Sequence, residues 1–86
     1  MKYLYFSAAW CGPCKMLGPI MEKVKTQGIP VEKINVDTET NLVTQYSVRN
    51  IPTVVLVDST GKEFARTVGV KSENHFVEQY KNFTNA

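Results

Sequence analysis

Two cysteines separated by two residues are the side chains of this chain best suited to covalent chemistry. Cys11 and Cys14 lie in the run WCGPCK, residues 10–15, between an apolar segment typical of a strand and an apolar pattern typical of a helix. Unpaired N–H groups and the dipole at a helix start favour negative charge. We therefore expect the pKa of the Cys11 thiol to lie below the free-cysteine value of ~8.5.

The two sulfurs are expected to have different roles. Cys14 lies one turn further into the helix, so it should be more buried and harder to ionise than Cys11. Cys11 would attack a substrate disulfide to form a mixed disulfide, and Cys14 would then attack Cys11 and release the reduced substrate. The pattern thus predicts a thiol–disulfide oxidoreductase with Cys11 as nucleophile and Cys14 as the resolving cysteine.

Four neighbours of the cysteines support this chemistry. Pro13 stiffens the ring that a Cys11–Cys14 bond would close. Gly12 lets a substrate approach the backbone. Trp10 is either an apolar rim beside the nucleophile or a plain packing residue. Lys15 favours a thiolate only weakly, because an exposed charge is screened by solvent.

Other uses of the cysteine pair are less well supported. A zinc site needs about four ligands, whereas the chain has two cysteines and one histidine, His75, so no metal is expected. A purely structural disulfide across so short a loop would restrict the unfolded chain little. His75 lies far along the chain from the cysteines, and a solvent-facing or packing role is expected for it rather than that of a catalytic base.

Composition indicates an ordinary small globular protein. The 86 residues predict a single domain over 1–86. The net charge of +2 is spread along the chain, which argues against nucleic-acid binding or a polybasic membrane patch. No apolar run is as long as a membrane span, and residues 1–9 fit a strand better than a secretory signal. We therefore expect a cytoplasmic monomer without membrane or nucleic-acid partners.

Apolar periodicity predicts the elements that position the cysteines. Residues 2–7 are typical of a strand, and a helix should then run to about Thr26, with Gly28 past its end. A second strand covers residues 31–36. A short helix containing Leu42 and Val43 should follow it, with Asp37 and Thr38 supplying its cap.

The second half of the chain predicts a hairpin and a final helix. The run TVVLV at residues 53–57 is typical of a strand buried on both faces. A turn at residues 58–61 leads to a strand of alternating pattern that ends at Gly69. Ser72 should cap the last helix, and Phe76, Tyr80 and Phe83 form its apolar stripe. The predicted fold is α/β, in the order β-α-β-α-β-β-α, with a four-stranded mixed sheet and three flanking helices.

Several segments together resemble the thioredoxin family. WCGPCK matches the active site of thioredoxins letter for letter, and residues 33–37 (KINVD) resemble the family's second core strand and the acid after it. Residues 46–53 (YSVRNIPT) resemble the segment that carries its cis-proline, and Val68-Gly69 resembles the end of the late strand near the active site. The resemblance covers nearly all of residues 4–83.

The resemblance implies a thioredoxin-like fold and a substrate-binding segment. In this family the Ile51–Pro52 bond would be cis and would lie opposite the cysteines. Ile51 would pair its backbone with an extended substrate segment, with Gly69 close by. Without the cysteine motif, Pro52 would be read as an ordinary turn proline.

The chain departs from the family pattern in three places. Family members usually carry an extra strand and helix before the first core strand, whereas this sequence starts almost directly at that strand. Tyr5 stands where the family usually has a buried Asp that serves the second cysteine, and a neutral phenol is a poor base at pH 7. Water or Lys33 would then have to take the proton, and we expect slower resolution by Cys14. Ser7 stands where the family has a second tryptophan, so the substrate surface is less aromatic.

The resemblance also implies partners. Family thioredoxins carry no bound cofactor beyond the redox-active disulfide. They reduce disulfide-containing proteins, are recharged by thioredoxin reductase, an NADPH-dependent flavoprotein, and supply enzymes such as ribonucleotide reductase. Two alternatives remain open. The chain's small size also fits a glutaredoxin-like reductase serviced by glutathione, and the fold could instead be the scaffold of a binding subunit.

Overall fold

Strands and helices alternate through the first half of the chain, and a hairpin and a helix complete it. The computed structural model describes residues 1–84. The elements are β1 (Lys2–Ser7), α1 (Gly12–Thr26), β2 (Val31–Asn35), α2 (Thr40–Gln45), β3 (Thr53–Val57), β4 (Glu63–Val68) and α3 (Glu73–Thr84). This order is the predicted one, and α1 ends at the predicted residue, with Gly28 in the positive-φ conformation just beyond it.

The four strands form one mixed sheet in the order β2-β1-β3-β4. β1 pairs with β2 in parallel and with β3 in antiparallel fashion, and β3 pairs with β4 in antiparallel fashion. All five residues of β3 are buried, as its run of β-branched side chains predicts. The predicted fold class is therefore confirmed, and the carboxyl ends of the parallel strands β1 and β2 lie side by side.

Both faces of the sheet are apolar, so a core lies on each side of it. Alternate side chains of β1 divide between the two cores, because successive residues of a strand point to opposite faces. On one side, β1 and β3 pack against α1 and α3 through Tyr3, Tyr5, Leu17, Met21, Val24, Val54, Leu56 and Phe76. On the other side, the sheet packs near α2 through Leu4, Phe6, Ile34, Tyr46, Val55 and Val57.

The connection between β2 and α2 differs from the prediction. β2 ends at Asn35 rather than at residue 36, and α2 begins at Thr40 with Glu39 as its cap residue and no side-chain cap. Asp37 and Thr38 instead belong to a turn around Asn35, to which the Asp37 N–H donates at 2.9 Å. The predicted cap at Asp37 and Thr38 is therefore wrong, because their backbone is already committed to this turn.

The last helix confirms its predicted start but not its whole apolar stripe. The Ser72 hydroxyl accepts from the His75 N–H at 3.2 Å, as an N-cap does. Phe76 is fully buried, whereas Phe83 is 39% exposed and packs edge-on against Phe64 at the rim of the sheet. Within residues 1–84, no helix is long and apolar enough to span a bilayer.

Candidate redox site

The first cysteine is the N-cap of α1. Cys11 has extended backbone angles (φ −86°, ψ 114°), and its Sγ accepts a hydrogen bond from the Cys14 N–H at 3.2 Å. Pro13, in the first turn, has no N–H and its fixed φ suits a helix start. No acidic residue lies in this turn. The free N–H groups and the helix dipole therefore favour negative charge at the Cys11 sulfur.

Cys11 and Cys14 are joined by a disulfide in this structure, with their Cα atoms 5.3 Å apart. We call residues 11–14 the redox turn. Each cysteine is 4% exposed, so the prediction that Cys14 is the more buried of the two is wrong. The reason is the cap geometry, since the Cys11 side chain folds back over the start of α1 to accept from the Cys14 N–H, and both cysteines belong to one buried cluster on which Ile51 packs.

The proline segment lies against the redox turn. The Ile51–Pro52 peptide bond is cis, as the resemblance implied. Ile51 packs on the cluster that contains both cysteines, and Pro52 is buried. The Gly69 N–H donates to the Pro52 carbonyl at 2.9 Å, and Gly69 adopts φ +93°, a conformation that favours glycine. The structure thus brings Ile51, Pro52 and Gly69 together, with Ile51 packed against the cysteine cluster.

Trp10 lies on the surface next to the redox turn. Its side chain is 69% exposed, so it is a rim residue rather than a core packing residue. Its Nε1–H donates to Asp37 Oδ2 at 3.0 Å. Sequence reasoning missed this role of Asp37. The signal was present, because Asp37 and Trp10 follow neighbouring parallel strands and must emerge at the same edge of the sheet.

Tyr5 lies directly beneath the redox turn. Its ring is 3% exposed, and its hydroxyl donates to the Cys14 backbone carbonyl at 2.8 Å. Burial raises the pKa of the Tyr5 phenol above its ordinary value, and the Ser7 hydroxyl opposes that shift. The phenol is therefore neutral at pH 7 and acts as a hydrogen-bond donor.

A solvent-facing cleft opens beside the second cysteine, between α1 and β2. Its volume is about 340 Å³, and its lining includes Cys14, Tyr5, Lys15 and Lys33. Lys33 is the register partner of Tyr5 across the parallel β1–β2 pair, so both side chains point to the same face. The structure therefore places Lys33, predicted as a proton-relay neighbour or a surface lysine, at the edge of the Cys14 site.

The remaining predicted residues differ in their surroundings. A Cβ added at Gly12 would meet no atom within 4 Å, so this position faces open space. Lys15 is exposed. His75 lies on α3, where its Nε2 is 3.0 Å from Thr67 Oγ1 and its ring packs edge-on against Phe76. Among residues 1–84, no group of three His, Cys, Asp or Glu side chains could hold a metal ion.

Comparison with known proteins gives a consistent family assignment. A profile described as "Thioredoxin" matches residues 2–82. A thioredoxin of Chlamydia trachomatis is 39% identical over 74 residues, which are 84% of this chain and 72% of that relative.

Solved structures agree with the profile. A mutant thioredoxin of Halobacterium salinarum superposes with a TM-score of 0.86 at 36% identity, over 95% of this chain and 73% of that one. Thioredoxin 1 of Thermosipho africanus superposes with a TM-score of 0.81 at 28% identity, over the full length of both chains.

Proposed function

Because the chain belongs to the thioredoxin family, whose members are protein-disulfide oxidoreductases, we propose that Cys11 is its nucleophile and Cys14 its resolving cysteine. The chain is a dithiol–disulfide exchange reductase. The assignment of the two sulfurs depends on one observation above all, the Cys14 N–H that donates to Cys11 Sγ at the start of α1. The same donor that caps the helix stabilises a thiolate on Cys11 once the disulfide is reduced.

Exchange proceeds in two balanced steps. The Cys11 thiolate attacks one sulfur of a substrate disulfide, forms the mixed disulfide and expels the other substrate sulfur as a thiolate. Cys14 then loses its proton and attacks Cys11 Sγ, which forms the Cys11–Cys14 bond and breaks the bond to the substrate. Two electrons pass to the substrate, and the chain is left oxidised, the state in which this structure shows it.

The substrate segment is proposed to bind across the proline segment. Ile51 packs on the cluster that contains the buried cysteines, and Gly69 is bonded to the Pro52 carbonyl; an extended peptide would add at this segment as a strand. Trp10 supplies an exposed apolar rim, and Gly12 leaves the approach to Cys11 open. Pro13 holds the first turn in shape, and Lys15 adds a weak, solvent-screened positive charge.

The proposed partners follow from family membership. Members of the thioredoxin family reduce disulfide substrates and are recharged by thioredoxin reductase. We assign this chain an NADPH-dependent flavoprotein reductase as donor, and disulfide proteins such as ribonucleotide reductase as acceptors. The compartment proposed is the cytoplasm, where thiols are kept reduced, and the working form is a monomer, folded as one domain over 1–86.

A coupled insulin-reduction assay tests the proposed function. The oxidised chain is mixed with insulin and with either NADPH and thioredoxin reductase or NADPH, glutathione and glutathione reductase, and NADPH loss and insulin turbidity are recorded. We expect turnover with thioredoxin reductase and little with glutathione. Faster turnover with glutathione would instead establish the glutaredoxin-like alternative.

Cysteine variants separate the roles of the two sulfurs. Cys14→Ser should accumulate a mixed disulfide between Cys11 and the substrate, visible by mass spectrometry, because the resolving sulfur is missing. The double variant Cys11→Ser/Cys14→Ser is the control and should be inactive. If the double variant retained the biological role of the chain, the binding-scaffold alternative would be correct and the proposal wrong.

A further inference from the structure

Two tyrosines on β1 make almost the same contact with two different helices. The Tyr3 hydroxyl donates to the Phe76 carbonyl of α3 at 2.8 Å, and the Tyr5 hydroxyl donates to the Cys14 carbonyl of α1 at 2.8 Å. Both rings are buried in the same core. The Tyr3 hydroxyl also lies 2.9 Å from Gln79 Oε1. The difference that matters for chemistry is the acceptor, since Phe76 is a packing residue and Cys14 carries a reacting sulfur.

The Tyr5 contact acts on the electrostatics of the redox turn. A carbonyl oxygen carries partial negative charge, and this one belongs to the same residue as the Cys14 sulfur. The Tyr5 O–H directs its positive end at that oxygen, which has a second lone pair available besides the one used in the helix. The bond offsets negative potential near the sulfurs in a buried site, where such interactions are stronger than in water.

Of the two redox states, only the dithiol can carry a charge that the Tyr5 hydrogen bond would stabilise. The disulfide is neutral, whereas the dithiol carries a thiolate once it ionises. A donor that offsets negative potential near the sulfurs therefore stabilises the dithiol more than the disulfide. We propose that Tyr5 is a positioning residue of the redox turn, whose neutral hydroxyl holds the Cys14 carbonyl and shifts the dithiol–disulfide equilibrium toward the dithiol.

This inference rests on the roles proposed above for Cys11 and Cys14. It also implies that the proton lost by Cys14 in the resolving step does not pass to Tyr5. A buried neutral phenol whose proton is bonded to a carbonyl accepts no proton. The Cys14 proton passes instead to solvent in the 340 Å³ cleft beside Lys33. The charged groups around this path are Lys15 and Lys33 in the cleft, and Glu22 and Lys25 in the adjoining cavity.

The experiment compares Tyr5→Phe with Tyr3→Phe as its matched control. Each variant removes one buried hydroxyl from the same strand and core, and both should lower the melting temperature. Only Tyr5→Phe should change the equilibrium with a glutathione redox buffer, by threefold to tenfold toward the disulfide. A tenfold change corresponds to a potential about 30 mV more negative. The rate of resolution in Tyr5→Phe should also shift its pH profile to higher pH.

Equal effects of the two variants would overturn the inference. If Tyr5→Phe lowered the melting temperature but left the potential and the pH profile unchanged, Tyr5 would be a structural residue only. The function proposed for Cys11 and Cys14 would still stand, provided that insulin reduction persisted.

A second substitution keeps the test decisive if Tyr5→Phe does not fold. 3-Fluorotyrosine at position 5 preserves the shape of the ring and makes its hydroxyl a stronger donor, so the potential should become less negative. The same replacement at position 3 is the control and should leave the potential unchanged. A shift of equal size at both positions, or none at position 5, would contradict the proposal.

Discussion

The two long helices begin in the same way and have different uses. At α1, Cys11 Sγ accepts from the N–H three residues on at 3.2 Å, and at α3, Ser72 Oγ accepts from the N–H three residues on at the same distance. One cap atom is an oxygen in solvent, and the other is a sulfur on a residue that is 4% exposed. The same local geometry therefore serves stability in one helix and reactivity in the other.

The surroundings of each cap explain the difference. Glu73 lies in the first turn of α3 and supplies the negative charge that a helix start favours, whereas the first turn of α1 has no acidic residue. The positive end of α1 is therefore left for the Cys11 sulfur. The sulfur supplies the reactivity, and the absence of an acidic residue in the first turn of α1 adds to it.

The largest effect is expected when the cap at α1 is made like the cap at α3. Cys11→Ser keeps a good N-cap, because serine is among the favoured cap residues, but a hydroxyl cannot act as the thiolate nucleophile. Insulin reduction should fall by more than about a thousandfold while the melting temperature changes little. Retained activity would show that Cys14 or another group attacks the substrate.

Removing the cap of α3 should have the opposite result, a loss of stability without a loss of activity. Ser72→Ala should lower the free energy of unfolding by about 1 kcal/mol, as the loss of an N-cap does, and leave insulin reduction unchanged. Urea denaturation and the coupled assay measure the two quantities. Ser72→Thr, which keeps a capping hydroxyl, is the matched control. Altered redox activity in Ser72→Ala would mean that α3 is coupled to the redox turn.

Placing a thiol on the cap of α3 separates the helix start from the rest of the site. In a Cys11→Ser/Cys14→Ser background, Ser72→Cys should have a thiol pKa about 0.2–0.7 below ~8.5, the size expected of a helix start alone. The pH dependence of alkylation by iodoacetamide measures it. Adding Glu73→Gln should lower the pKa further. A thiol at or above ~8.5 would assign the reactivity of Cys11 to its neighbouring groups instead of the helix start.

The smallest effect, on the thiol pKa, is expected when a negative charge is placed near the start of α1, as Glu73 is in α3. Lys15→Glu places a carboxylate near the start of α1 and should raise the apparent thiol pKa of the reduced pair by about 0.3, because exposed charges are screened. Lys23→Glu, in the last turn of the same helix, is the control and should leave that pKa unchanged. An equal rise in both variants would indicate a general effect of net charge.

Local patterns were enough to predict most of the fold and the reacting pair. The spacing of the apolar residues, together with Gly and Ser residues at the ends of elements, predicted the order of elements, the end of α1 at Thr26 and the cap at Ser72. The spacing of Cys11 and Cys14 gave the disulfide. These features depend on neighbours within a turn or two of the chain, which a sequence displays directly.

Features that depend on distant neighbours were not predictable in this way. The bond between Trp10 and Asp37 joins residues that come together only because β1 and β2 are parallel neighbours. A local competition was missed as well, because the Asp37 N–H donates to the Asn35 side chain two residues before it and Asp37 is therefore not the cap residue of α2. The Tyr5 bond to the Cys14 carbonyl depends on how α1 packs on the sheet. The chemistry of a phenol predicts only that Tyr5 is a poor base at pH 7.

The small size of the disulfide ring bears on how an electron donor and an electron acceptor would use the site. The bond spans only residues 11–14, and so short a loop restricts the unfolded chain less than a long one would, so reduction of the bond is expected to cost little stability. On the proposed mechanism, an electron donor and an electron acceptor react with the same sulfur pair beside the exposed Trp10. They are therefore expected to react in turn, in a ping-pong sequence, and each to inhibit the other competitively at high concentration.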